Sequence, residues 1–133
     1  GKSSEIKPIS LKSKIVSLAI KNTKVDPIEA DIIINDRYSL SEFGIKGEVI
    51  HTPGHTSGSI SILLENNEII VGDLVAGGNK KDLSKVEHPL FASDMLQVKK
   101  SIRRIIELSP KLVHTSHGEA CEVRFMEKLT SVI

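Results

Sequence analysis

Two aliphatic runs joined by a short polar turn occupy the middle of the chain, and each run lies next to a side chain able to bind a metal. Ser59 to Leu64 (Ser-Ile-Ser-Ile-Leu-Leu) alternates, Glu65-Asn66-Asn67-Glu68 supplies a turn, and Ile69 to Val71 returns. Period-two alternation interrupted by asparagines is the pattern of a β-hairpin. The first strand runs away from His55 and the second runs back to Asp73, so the hairpin places an imidazole and a carboxylate at one sheet edge. A third such residue, His117 in His-Thr-Ser-His-Gly (114 to 118), follows the short apolar strand Leu112-Val113. A ligand on a loop leaving a buried strand is aimed by the rigid sheet behind it, and the neighbouring glycines let other groups approach.

The remaining segments suggest an α/β layer. Residues 1 to 9 are polar and are expected to be loose. Ser10 is placed to cap a helix with Leu11, Ile15, Leu18 and Ala19 on one face, and Asn22 to Pro27 reads as a turn. Ala30 to Asn35, with Ile32-Ile33-Ile34 between Asp residues, reads as a strand; Asp36 to Gly47 reads as turns, and Glu48-Val49-Ile50 leads into the first histidine motif. Gly72 to Ser84 is a loop, and Val86 to Phe91 around Pro89 is ambiguous. Ser93 or Asp94 caps a helix with Met95, Val98, Ile102, Ile105 and Ile106 as its apolar stripe and with Lys99, Lys100, Arg103 and Arg104 mostly on the wet side. Pro110 ends it. From Gly118 onward a last helix turns Val123, Met126 and Leu129 inward.

Length and composition narrow the function classes. A chain of 133 residues suits one domain spanning 1–133. With three Phe, one Tyr and no Trp, Ile, Leu and Val must fill its core. A net charge of +1, with lysines interleaved among acidic and apolar residues, argues against nucleic-acid binding as the main task. The single cysteine, Cys121, excludes an internal disulfide and makes a reducing cytoplasm the simpler expectation. No apolar run reaches membrane-span length and no signal-peptide pattern appears. The chain starts Gly-Lys-Ser-Ser without Met, which fits a tag remnant or a piece of something longer.

Taken in order, Thr52-Pro53-Gly54-His55-Thr56-Ser57-Gly58-Ser59, Val71-Gly72-Asp73 and Ser116-His117-Gly118 resemble the three C-terminal motifs of the metallo-β-lactamase superfamily. The first of these is the specific one. The resemblance implies an α/β fold, half of an αββα metallo-β-lactamase-like sandwich, in which a mixed sheet is packed by helices on one face. It implies His55 as the third histidine of a first metal site, Asp73 as the carboxylate bridging two metals and His117 as a ligand of the second. Zinc is the implied cofactor, two ions in the complete family site, with iron or manganese in some branches. The implied reaction is attack of a metal-bound hydroxide on an ester, thioester, amide or phosphoester of a small-molecule substrate. A divalent ion makes hydroxide available near neutral pH by lowering the pKa of its water.

The family's N-terminal His-x-His-x-Asp-His element does not occur, since none of His51, His88 and His114 belongs to a His-x-His pair. The expectation is therefore a C-terminal fragment, inactive by itself. Its open sheet face would be covered by the missing N-terminal half or by a second copy. The alternative from another class is a non-catalytic, dimerising interaction domain that kept the loops without the chemistry. A mononuclear iron site of two histidines and one carboxylate is a third reading.

Ordinary structural roles compete at each position. Asp73 and His117 are common turn residues when taken singly, and His51 reads as packing or hydrogen bonding near the site. His114 and His88 read as structural or exposed, although His88 sits on a loop able to reach substrate. Thr56 and Ser59 read as hydrogen-bonded support for the His55 loop. Cys121 reads as a buried thiol, the basic helix face as solvated, and Gly77-Gly78 as a flexible pair.

Overall fold

A computed structural model describes residues 7–20 and 28–131, and the expected turn from Asn22 to Pro27 lies outside them. The elements in chain order are β1 (Lys7–Pro8), α1 (Leu11–Ile20), β2 (Arg37–Ser39), β3 (Gly47–His51), β4 (Ile60–Leu64), β5 (Glu68–Ile70), β6 (Phe91–Ala92), α2 (Met95–Leu108) and β7 (Leu112–His114), followed by a 3-10 helix at Val123–Thr130. Strands β2-β3-β4-β5-β7 form one sheet in that order, antiparallel except for the parallel β5–β7 pair, and β1 pairs with β6 apart from it. The hairpin pairs Ile62 with Ile70 and Leu63 with Ile69, and Asn67 takes the left-handed turn conformation at φ 61°.

A parallel neighbour requires a crossover, and α2 provides it between β5 and β7. Asp94 caps its start by accepting hydrogen bonds from the Leu96 and Gln97 amides, as expected. The helix buries Val98, Ile102 and Ile105 against Ile69 and Val113 of the sheet, with Met126 and Leu129 of the 3-10 helix completing the core. Each fully buried aliphatic side chain contributes roughly 1.5–3 kcal/mol. The basic residues of α2 do more than face solvent: Lys99 and Arg103 donate to the Ser131 and Thr130 carbonyls, and Arg104 joins the His51 carbonyl to the Asp36 carboxylate.

Side chains alternate across a pleated sheet, so the residues opposite the helices form one row: Tyr38, Val49, Ile62, Ile70 and His114, each paired with the next. Ile70 and Ile60 on this face are 42% and 43% exposed. Among the described residues the mixed sheet thus carries α2 and the 3-10 helix on one face and leaves the other partly open, with Val49 buried and Ile60 and Ile70 exposed. No described helix is long and apolar enough to cross a membrane.

Several local expectations are corrected. Lys7–Pro8, expected to be loose within residues 1–9, is held as a strand against Phe91–Ala92. Ser10 does cap α1, its hydroxyl accepting from the Ser13 amide. Ile15, expected on the buried face, is 64% exposed, while the side chains of Leu11, Leu18 and Ala19 lie outside the description. Residues 30–35 form no strand, and Ile33 is 80% exposed; the pairing with β3 is taken instead by Arg37–Ser39, inside the segment read as turns. Propensity does not make a strand without a partner edge, and β3 offers its free edge to the residues that follow the Ile run. The last helix starts at Val123 rather than Gly118 and is 3-10 in type.

Replacing Ile102 by Ala is expected to cost about 2–5 kcal/mol, through lost burial and a residual cavity. Ile33→Ala is expected to stay within about 0.5 kcal/mol of the parent. Urea unfolding of the two variants measures both.

Candidate metal centre

The loop carrying His55 is fixed on three sides. Ser101 of α2 donates to the Pro53 carbonyl, the Ser93 amide and hydroxyl bond to the carbonyls of Gly54 and His55, and Thr52 shares a buried hydrogen bond with Ser61. Gly54, at φ 137°, lies so close to α2 that a Cβ there would overlap the Val98 backbone nitrogen. Thr56 and Ser59 bond to one another as the sequence suggested, and His51 reaches into the loop with Nε2 2.8 Å from the Ser57 carbonyl.

His55 Nδ1 lies 2.7 Å from the Phe91 carbonyl. A carbonyl only accepts, so Nδ1 donates to it and Nε2 is the ring nitrogen turned toward the cleft. That is how a partner behind the ring orients a histidine ligand. Nε2 stands 3.7 Å from Asp73 Oδ2, with the His55 side chain largely buried.

Asp73 occupies a 3-10 turn directly after β5, reached through Gly72 at φ 59°. Backbone hydrogen bonds continue the β5–β7 ladder beyond the strands: Val71 to His114, Ser116 to Gly72, Gly77 to His117 and Glu119 to Gly78. His117 is thereby registered beside Asp73, with Nε2 3.4 Å from Oδ1, and remains 80% exposed. Gly77 and Gly118 are required by close approach rather than by flexibility. A Cβ on Gly77 would overlap the Glu119 carbonyl, and one on Gly118, at φ 95°, would overlap that of Gly77.

His55, Asp73 and His117 therefore line one cleft of about 620 Å³, together with Val16 of α1 and Leu90 and Phe91. The Asp73 side chain as a whole is 40% exposed, yet its Oδ1 is sealed from solvent and has no hydrogen-bond partner. A buried, unpartnered carboxylate oxygen is costly unless a cation or donor reaches it. Two donors of one tetrahedral ion at about 2.0–2.2 Å stand roughly 3.4 Å apart, close to both imidazole–carboxylate separations. The residues thus fit a metal, but as two pairs. The imidazoles face opposite oxygens of Asp73, and among the described residues no three His, Cys, Asp or Glu side chains are grouped to hold a single ion. A grouping of that kind is what the third reading, one ion held by two histidines and one carboxylate, would require.

Other candidates resolve into structural parts. His114 Nε2 donates to Glu68 at 2.9 Å, and that hydrogen bond, with Lys111 nearby, holds the Glu68 carboxyl below its ordinary value. Cys121 is buried in the core, which pushes its thiol up. His88 does not line the cleft; burial, with the Lys99 charge, keeps its ring below the ordinary 6.5, and its Nδ1 is buried without a partner. Sequence reasoning missed the Phe91 carbonyl, Ser93 and the α1 wall of the cleft, none of which has a motif of its own.

The profile described as the Metallo-beta-lactamase superfamily matches residues 4–117. Among curated proteins, a probable metallo-hydrolase of Methanocaldococcus jannaschii is 28% identical over 122 residues, covering 86% of this chain and 54% of that protein. A beta-lactamase-like protein 2 homolog of Drosophila melanogaster is 26% identical over 98 residues, 71% of this chain and 30% of that protein. This chain thus spans about a third to a half of these relatives' length. Among solved structures, a metallo-beta-lactamase family protein from Thermus thermophilus superposes with a TM-score of 0.63 at 20% identity, covering 90% of this chain and 43% of that one. An archaeal superfamily protein from Sulfolobus tokodaii gives 0.57 at 21% identity, covering 89% and 46%.

Gly118→Ala is expected to cost at least about 1 kcal/mol, from the positive φ and the collision with Gly77, read by thermal unfolding. His88 takes up its proton at lower pH when folded than when unfolded. Its share of stability is therefore complete above 6.5 and is lost as pH falls through that value toward the folded one. Comparing urea midpoints at about pH 7.5 and about pH 5.5, His88→Gln should lose less stability on acidification than the parent does.

Proposed function

The chain belongs to the metallo-beta-lactamase superfamily, and from that membership we propose that it forms the C-terminal part of a metal-dependent hydrolase, supplying His55, Asp73 and His117 as ligands. The observation that carries this reading is the unpartnered, buried Oδ1 of Asp73 with one imidazole on each side of the carboxylate. Zinc is the proposed metal, from the imidazole and carboxylate donor set, with iron or manganese as the other candidates. A divalent ion held there would acidify water and polarise the bond to be hydrolysed. The chain's own residues do the positioning. The Phe91 carbonyl holds the His55 ring by Nδ1 with Nε2 aimed at the site, Asp73 presents an oxygen to each side, and the Gly77–His117 backbone bond keeps His117 within reach.

Two donors on each side leave each ion short of protein ligands. The proposal therefore includes a segment carrying His-x-His-x-Asp-His that covers the open sheet face and completes the site, the isolated chain being inactive. The half-exposed Ile60 and Ile70 favour one second reading, a non-catalytic domain in which two copies pair through that face.

Zinc titration by calorimetry separates the readings. The chain is expected to bind zinc weakly, with His55→Ala and Asp73→Asn each lowering the affinity by at least about tenfold. Adding the His-x-His-x-Asp-His segment should tighten binding and bring esterase activity. Unchanged zinc binding in both variants would remove the ligand assignment. A dimer in sedimentation equilibrium that does not respond to metal would favour the interaction domain.

A further inference from the structure

The cleft has two unlike ends. His55, Asp73 and His117 occupy one, and the rest of the wall is Val16, Val75, Ala76, Pro89, Leu90 and Phe91, with only Ser17 adding a polar side chain. No Lys or Arg is among the described residues that line it. The volume of about 620 Å³ lies in the range of small-molecule sites. An anionic group resting on this wall would find no counter-charge from it, and desolvating an anion without one is costly. An aryl or alkyl group loses water on the same surface at a gain of roughly 25 cal/mol per Å².

We propose, building on the hydrolase reading above, that this wall selects a neutral carboxylic ester or thioester whose apolar acyl or aryl group rests on Val16, Pro89, Leu90 and Phe91, with its carbonyl toward Asp73. Hydrolysis of such a substrate breaks the acyl C–O or C–S bond. Water supplies the oxygen that bonds to the acyl carbon and the proton that leaves with the alcohol or thiol. The wall is built from three separate parts of the chain, namely α1, the segment after Asp73 and the segment entering β6. The β1–β6 pairing brings the first and last of them together.

The test uses the full chain in chelator, so that no metal contributes. The neutral fluorophore N-phenyl-1-naphthylamine is expected to bind saturably and to be displaced by phenyl butyrate but not by phenyl phosphate. Val16 and Leu90 are each 37% exposed, so charge at either position is compatible with folding. Val16→Lys and Leu90→Lys should each weaken the probe by about tenfold. Ile70→Lys, on the open sheet face, should leave it unchanged. The metal assignment is read separately by the zinc titration described above, so its failure and a failure of the cleft assignment give different results. Absence of saturable binding, insensitivity to both cleft variants, loss in Ile70→Lys, or equal displacement by phenyl phosphate would each overturn the proposal.

Discussion

The parallel pairing of β5 with β7 is the constraint from which the candidate site follows. Ile69 sits opposite Val113 in that pair, both fully buried beneath α2, so a slip of one residue would turn the core side chains of one strand toward the open face. Hydrophobic burial thereby fixes the register. The register then extends past the strand ends as backbone hydrogen bonds, from Val71–His114 to Gly78–Glu119, and those bonds carry His117 to Asp73. Core packing and the placement of these two side chains are thus one arrangement seen at two depths of the same sheet.

A second consequence concerns α2. As the crossover between β5 and β7 it is needed for the topology, and its first two turns also hold the His55 loop through Ser101 and the backbone at Val98. The residues before it orient the imidazole itself through the Phe91 carbonyl. One helix and its entry segment therefore connect the core to the first histidine, while the β5–β7 ladder connects the core to the other two side chains. Rigidity at the cleft comes from this shared support rather than from a network confined to the cleft.

Much of this was legible in the sequence where the signal is local. The β4–β5 hairpin, the Asp94 cap and the apolar stripe of α2 each arise from residues within a few positions of one another, and each is found where periodicity places it. The Ile32 to Ile34 run was misleading for the complementary reason. Three branched residues favour extended backbone, but whether they join a sheet depends on an edge contributed by β3, and that edge pairs with Arg37–Ser39. Lys7–Pro8 likewise becomes a strand only because Phe91–Ala92, far along the chain, lies alongside it.

By itself the sequence determined the β4–β5 hairpin, α2 with its cap and apolar stripe, and the three side chains worth following, because side-chain periodicity and turn chemistry act over short stretches of chain. Only the tertiary structure decided how near those three side chains stand to one another, that the Phe91 carbonyl faces Nδ1 of His55, and that Arg37–Ser39 forms the edge strand beside β3. These depend on backbone carbonyls and on approaches between distant segments. A peptide group offers the same donor and acceptor whatever residue carries it, so such contacts leave almost no mark on residue type.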